Sequence, residues 1–99
     1  MRLIKKYVDM MKDEIESAKE YAEQYVEHKV KNDMQTATRY KEMANDELKH
    51  AGYIHDRVVV EIETLRKVYT PPQDMLDKWD ADHKKYIEKT AWIRQMLAM

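Results

Sequence analysis

A chain of 99 residues makes one domain at most. Its 18 Lys and Arg nearly balance 19 Asp and Glu, which removes the clustered basic surface expected of a nucleic-acid binder. No apolar run approaches the ~20 residues of a membrane span, the N-terminal stretch lacks a secretion signal's apolar core, and the absence of cysteine excludes disulfides, thiolate metal sites and cysteine catalysis. The expectation is a cytoplasmic protein with no nucleic-acid or membrane partner.

One glycine and two adjacent prolines leave little material for turns, so the chain reads as helices with two breaks. The first break is Lys31-Asn32-Asp33, where Asn32 is placed to cap a new helix with Gln35 three residues on. The second is Thr70-Pro71-Pro72-Gln73, where Thr70 suits the N-cap, Pro71 the first helical position and Gln73 a capping box. This divides the chain into helices over about 2–31, about 34–69 and about 73–97.

Each helix carries an apolar stripe. The first runs Leu3, Tyr7, Met10/Met11, Glu14, Ala18, Tyr21, Tyr25, His28, and the second runs from Tyr40 through Met43/Ala44, Glu47, His50/Ala51, Ile54 and Val58 to Glu61/Ile62, Leu65 and Val68. The third runs Met75, Trp79, Asp82/His83, Tyr86, Thr90, Ile93, Met96/Leu97. Alternating steps of three and four predict antiparallel packed helices. A small domain with such narrow stripes buries little surface by itself, which predicts self-association as a homodimer or higher oligomer.

Two carboxylates break the pattern. At about 100° per residue, Glu14 points with Tyr7 and Tyr21, and Glu47 with Tyr40 and Ile54. A carboxylate on an apolar stripe is costly without a counter-charge, a hydrogen-bond network or a metal. His50 follows Glu47 by three residues, so one helix offers an oxygen and an imidazole nitrogen on the same side. A hairpin turning near residue 33 places residue 14 opposite about 52, roughly a turn from both. Glu14, Glu47 and His50 are therefore the candidate metal ligands.

Helix 2 contains Asp46-Glu47-Leu48-Lys49-His50-Ala51, and helix 1 contributes Glu14 thirty-three residues before Glu47 (47 − 14 = 33) and Tyr21 seven residues after Glu14. This segment, about residues 7–65, resembles the metal-binding hairpin of the ferritin-like superfamily, bacterioferritins and rubrerythrins in particular. The resemblance implies a two-metal carboxylate site, with iron first and manganese or zinc as alternatives, and with oxidation of ferrous ion or reduction of peroxide as the chemistry. It gives Tyr21 a place beside the metals, orienting a ligand. A full ferritin-like chain has two half-sites on four long helices, and this one has a single Glu-x-x-His. The nearest imitation, Asp80-x-x-His83, lies some ~20–25 Å along the axis from Glu47. Encapsulated ferritins, which are also short chains, complete such a site between two subunits. The resemblance thus implies an all-α fold, an antiparallel hairpin plus a third helix, in which dimerisation completes a ferritin-like four-helix bundle.

The alternative for the same residues is a metal-free buried Glu/His network in a non-enzymatic structural or adaptor bundle. Tyr21, Tyr25 and Tyr40 read first as core packing, His28 and His83 as structural, and Glu61 as a partner for His83 across helices 2 and 3. His55, on the edge of the stripe, receives no role. Gly52 is a candidate for close helix approach, and Trp79 and Trp92 are the largest apolar groups of helix 3.

Overall fold

The computed structural model describes residues 2–99. Three helices follow one another, α1 (Arg2–Val30), α2 (Met34–Arg66) and α3 (Gln73–Leu97), with no strand among the described residues. None of these helices is long and apolar enough to cross a membrane.

The α1–α2 turn is tighter than the sequence reading has it. Asn32 has a φ of 62°, a left-handed conformation that asparagine tolerates better than most residues. There the Asp33 amide donates to the His28 carbonyl (2.9 Å) and the Asn32 amide to the Lys29 carbonyl (3.0 Å), the Schellman closure of a helix. Asn32 therefore ends α1 and does not cap α2. The N-cap is Asp33, whose Oδ1 accepts from the Thr36 amide at 3.2 Å while its carbonyl accepts from Ala37 at 3.0 Å. One residue finishes one helix and starts the next, which fixes the register of the hairpin.

The second break also differs in detail. α2 stops at Arg66, and Val68, assigned to the stripe, lies outside the helix and is exposed. The residue before a proline is pushed out of the helical region, so Thr70-Pro71 carries an extended passage. Pro72 stands at the N-cap of α3 without a side-chain cap, so the expected Thr70–Gln73 capping box is not formed. Gln73 Nε2 donates instead to Asp77 Oδ1 at 2.9 Å.

α1 and α2 pack as an antiparallel hairpin, and α3 folds back onto it, chiefly against α1, giving a rod of 55 × 17 × 17 Å. The core line of α1 is Ile4, Val8, Met11, Ile15, Ala18, Ala22 and Tyr25. That of α2 is Ala37, Ala44, Leu48, Ala51, Val58 and Ile62. The predicted stripes share Met11, Ala18 and Tyr25 of α1 and Ala44, Ala51, Val58 and Ile62 of α2 with these lines but are centred toward one side of them. Tyr7, Glu14, Tyr21 and His28 on α1, and Tyr40, Glu47, Ile54 and Glu61 on α2, are all half-buried and form the flank of the core. The large tyrosines drew the expected phase toward the flank, whereas methyl-sized Ala18, Ala22, Ala44 and Ala51 occupy the seam with no exposed surface.

α3 matches its predicted stripe more closely. Thr90, Ile93, Met96 and Leu97 are buried, as is Asp82, held by Lys12 of α1 at 3.1 Å and Lys78 at 3.4 Å. Trp79 packs against both core clusters, but Trp92 is 55% exposed. Gly52 is not required by close packing, since a Cβ there would meet only the Tyr86 hydroxyl at 3.9 Å, an ordinary contact. The cavities between α3 and the hairpin are lined by Lys5, Val8 and Asp9 on α1 and by Leu48, Gly52 and Asp56 on α2. By helical angle this is the flank away from Glu14 and Glu47.

Candidate metal centre

On the flank that α3 leaves open, the hairpin register brings Glu14 of α1 against Glu47 and His50 of α2. One ligating atom from each lies within 4.8 Å of the other two. His50 Nδ1 is 3.6 Å from Glu14 Oε2 and 3.9 Å from Glu47 Oε1, too long for hydrogen bonds but close enough for a common ion. The three predicted ligands are brought together. Their setting differs from the inward-facing one expected, because Glu14 and Glu47 remain 29% and 23% exposed and His50 52%. They form an open half-ring on the surface of a single chain.

Electrostatics mark the same spot. The Glu47 carboxyl holds its proton above the ordinary carboxylate range. The first cause is its hydrogen bond to Glu14, followed by partial removal from water and the facing Glu14 charge, with His50 acting in the opposite sense. Two carboxylates a hydrogen bond apart do not both ionise freely. A proton eases that repulsion, and so would a cation.

The donor set fits a divalent ion. Bonds of about 2.0–2.2 Å put neighbouring donors about 3 Å apart and opposite donors about 4 Å apart. The separations here lie between those values or slightly above, a gap that side-chain rotation of half-exposed residues closes. Carboxylate oxygen with imidazole nitrogen suits iron, manganese or zinc. Three donors from one chain leave further positions open.

Tyr21 lies one seven-residue step from Glu14 along α1, on the same flank. Its described ring contact is with Tyr40 at a centroid distance of 6.2 Å, and Tyr40 in turn stacks on His28 at 5.5 Å. This aromatic run lies toward the turn from the three ligands, on the same flank. Leu3 and Met10 on the side away from the turn, and Met43 between Tyr40 and Glu47 along α2, each 40–44% exposed, border the half-ring with apolar surface.

The remaining predicted partners separate. Glu61 does not meet His83, since its carboxylate is taken by Arg57 at 2.6 Å, one turn away on the same helix. His83 packs against His55, whose ring centroid is 4.9 Å away. The sequence reading missed His55, whose Nε2 is buried without a hydrogen-bond partner. A signal existed: with α2 and α3 turning at the prolines, residue 55 lies opposite about 88, within a turn of Tyr86 and about one and a half turns from His83.

No family model, curated protein or solved structure matches this chain.

Proposed function

We propose that this chain is a ferritin-like metal-binding protein in which Glu14, Glu47 and His50 of two copies enclose a pair of divalent cations, iron first. The observation that carries this reading is the convergence of three ligands, two carboxylates and an imidazole, from two helices within 4.8 Å. Two copies would supply four carboxylates against two divalent charges, a neutral balance, and two imidazoles as uncharged donors. Joining the two open flanks would also cover Leu3, Met10 and Met43 and complete a four-helix bundle around the ions.

Iron, when bound, supplies the electron transfer needed to oxidise ferrous ion with oxygen or to reduce peroxide. The chain's own residues do the rest. Glu14 and Glu47 neutralise and orient the ions, and Glu47 must release its proton for an ion to enter. His50 ligates as neutral imidazole. Tyr21, on the same flank one seven-residue step from Glu14, is the residue that the resemblance would have orient a ligand.

Metal content after purification without chelators, measured with iron-dependent oxygen uptake, tests the proposal. Wild type is expected to carry iron and consume oxygen, and Glu47→Ala to lose both. Equal metal stoichiometry in the two proteins would remove the site. Native mass spectrometry of the same samples reads chains and ions together, with two chains per two ions expected.

A second reading has one observation in its favour: the facing Glu14 carboxyl raises the Glu47 pKa, so a proton shared between the two could satisfy the pair without a metal. In that case the chain is a structural or adaptor bundle without metal chemistry. It requires that added iron leave unfolding temperature and assembly size unchanged, and that Glu14→Leu with Glu47→Met raise stability.

A further inference from the structure

We propose that the groove between α2 and α3 is a binding site for a small flat aromatic anion, seated over Gly52 with its charged group between Lys49 and Arg94. The site lies on the flank away from Glu14 and Glu47, and the proposal does not rest on the metal reading.

α3 is seated chiefly on α1, so its side toward α2 stands open. There the Tyr86 ring stacks on His55 of α2 at 4.9 Å, and beside it lies a cavity of about 500 Å³, a size that suits a small ligand. Buried Leu48 and Gly52 line it from α2. Gly52 is the chain's one glycine, and it sits in the interior of a 33-residue helix, where glycine costs stability relative to alanine. Nothing in the fold requires it. Its φ is not positive, and a Cβ would meet only the Tyr86 hydroxyl, at 3.9 Å. What the glycine does provide is open space in the cavity wall.

The polar groups around that space favour a negative ligand. Lys49 of α2 and Arg94 of α3 both line the cavity, and among the described residues neither is in an ion pair. With His55 facing Tyr86, the antiparallel run of the helices sets Arg94 opposite about residue 47, within a turn of Lys49. The two cations therefore share one end of the groove. Asp56, the carboxylate of the lining, is ~10 Å farther along α2, and its Oδ1 already lies 3.1 Å from His55 Nδ1. Glu42 and Asp46 stand exposed on α2 outside the lining, and Glu88 of α3 lines a different cavity, beside Trp92. Tyr53 and Tyr86 complete the walls, and the Tyr86 phenol, its pKa pushed up by burial, remains a hydrogen-bond donor.

Cations at one end, aromatic walls in the middle and a carboxylate at the other end define the ligand. A carboxylate between Lys49 and Arg94 gains charge-assisted hydrogen bonds from both. A flat two-ring body crosses the space over Gly52 and packs against Tyr53 and Tyr86. A second anionic group at its far end meets Asp56 and is repelled.

Amide NMR of the full chain at neutral pH, with chelator present and 2-naphthoate as the probe, tests the site. The Lys49, Gly52 and Tyr53 amide signals are expected to shift and saturate with a Kd of ~1 mM or tighter, the strength open to a ligand of this size. The dianion 2,6-naphthalenedicarboxylate and the cation 2-naphthylmethylammonium should each bind about tenfold more weakly, and Lys49→Gln with Arg94→Gln should cost 2-naphthoate about tenfold. Gly52→Leu fills the groove and is expected to abolish the shifts. Should that variant not fold, the substitutions at exposed Lys49 and Arg94 keep the test decisive. Gly52→Ala separates room for a ligand from a need of the fold, and its unfolding temperature should rise by ~4 °C. A fall in that temperature, equal affinity for the monoanion and the cation, or no saturable shift at these amides would overturn the proposal. So would binding that persists unchanged in Gly52→Leu or in the Lys49 and Arg94 variant.

Discussion

Glu47 faces Glu14 across the α1–α2 seam, with ligating oxygens of the two within 4.8 Å, and the neighbouring Glu14 carboxyl raises the Glu47 pKa; the pair lies on the flank of the hairpin opposite α3. The two carboxylates are on separate helices and thirty-three residues apart (47 − 14 = 33), so their meeting depends on the register set at Asp33. That relationship makes the pair sensitive to protons, cations and helix spacing together.

The proton sensitivity has a definite sign. The folded state holds the Glu47 proton above the ordinary value of 4.5, so its stabilising contribution is complete below that value and is lost as pH rises through the folded one. Glu47→Gln keeps the hydrogen bond without the titration. It is expected to stabilise the metal-free protein at neutral pH by about 0.5 kcal/mol, a small figure because solvent screens the half-exposed pair. Thermal unfolding of both proteins from acid to neutral pH, with chelator present, checks it: the stability difference should widen as pH rises and vanish in acid.

Divalent affinity should move the opposite way with pH. An ion competes with protons for Glu47, so binding weakens as the medium is acidified, and any proton still held there leaves as the ion binds. Calorimetric titration with manganese in buffers of differing ionisation heat measures that release directly. Glu14→Gln should reduce both the affinity and the proton count.

Asp82 provides an asymmetric test of buried charge. Its carboxylate is 7% exposed and bound by two lysines that are themselves 46% and 63% exposed. Asp82→Asn frees the lysines into water and is expected to cost only ~1 kcal/mol. Lys12→Met combined with Lys78→Met strands the carboxylate and is expected to cost ~3–5 kcal/mol. Urea unfolding of the two variants at neutral pH discriminates these outcomes.

Asn32 tests the hairpin turn. With its φ of 62°, replacement by glycine is expected to be neutral or mildly stabilising, and replacement by alanine to cost ~1–2 kcal/mol. Equal unfolding temperatures for the two variants would contradict a left-handed residue at this position.

The helices, their two breaks and the pairing of Glu47 with His50 were legible because they follow from short-range rules: periodicity, proline and the three-residue step between the two ligands. Glu14 was legible only through the hairpin turn that sets its position opposite α2. The phase of the core was legible in part. An apolar arc on a long helix is wider than one residue, and the tyrosines at 7, 21 and 40 weigh more in a sequence pattern than the alanines at 18, 22, 44 and 51 that fill the seam. Hence Glu14 and Glu47 were expected inside the stripe, whereas they border it. The cap at Asp33 was displaced by one residue because Asn32 serves the preceding helix. His55 was missed because an imidazole partnered by rings from another helix leaves no local signature.

Ala37, Ala44 and Ala51 recur every seven residues along α2 with no exposed surface, and Ala18 and Ala22 of α1 share their cluster. Side chains of one carbon let two backbones run close together, and a glutamate reaches only a few ångströms beyond its own helix. The methyl row therefore acts as a spacer gauge for the carboxylates at its border. A leucine at Ala44 or Ala51 would wedge the hairpin open and pull Glu14 from its neighbours without touching any of them. The reach of the chemistry is set by the residues that have none.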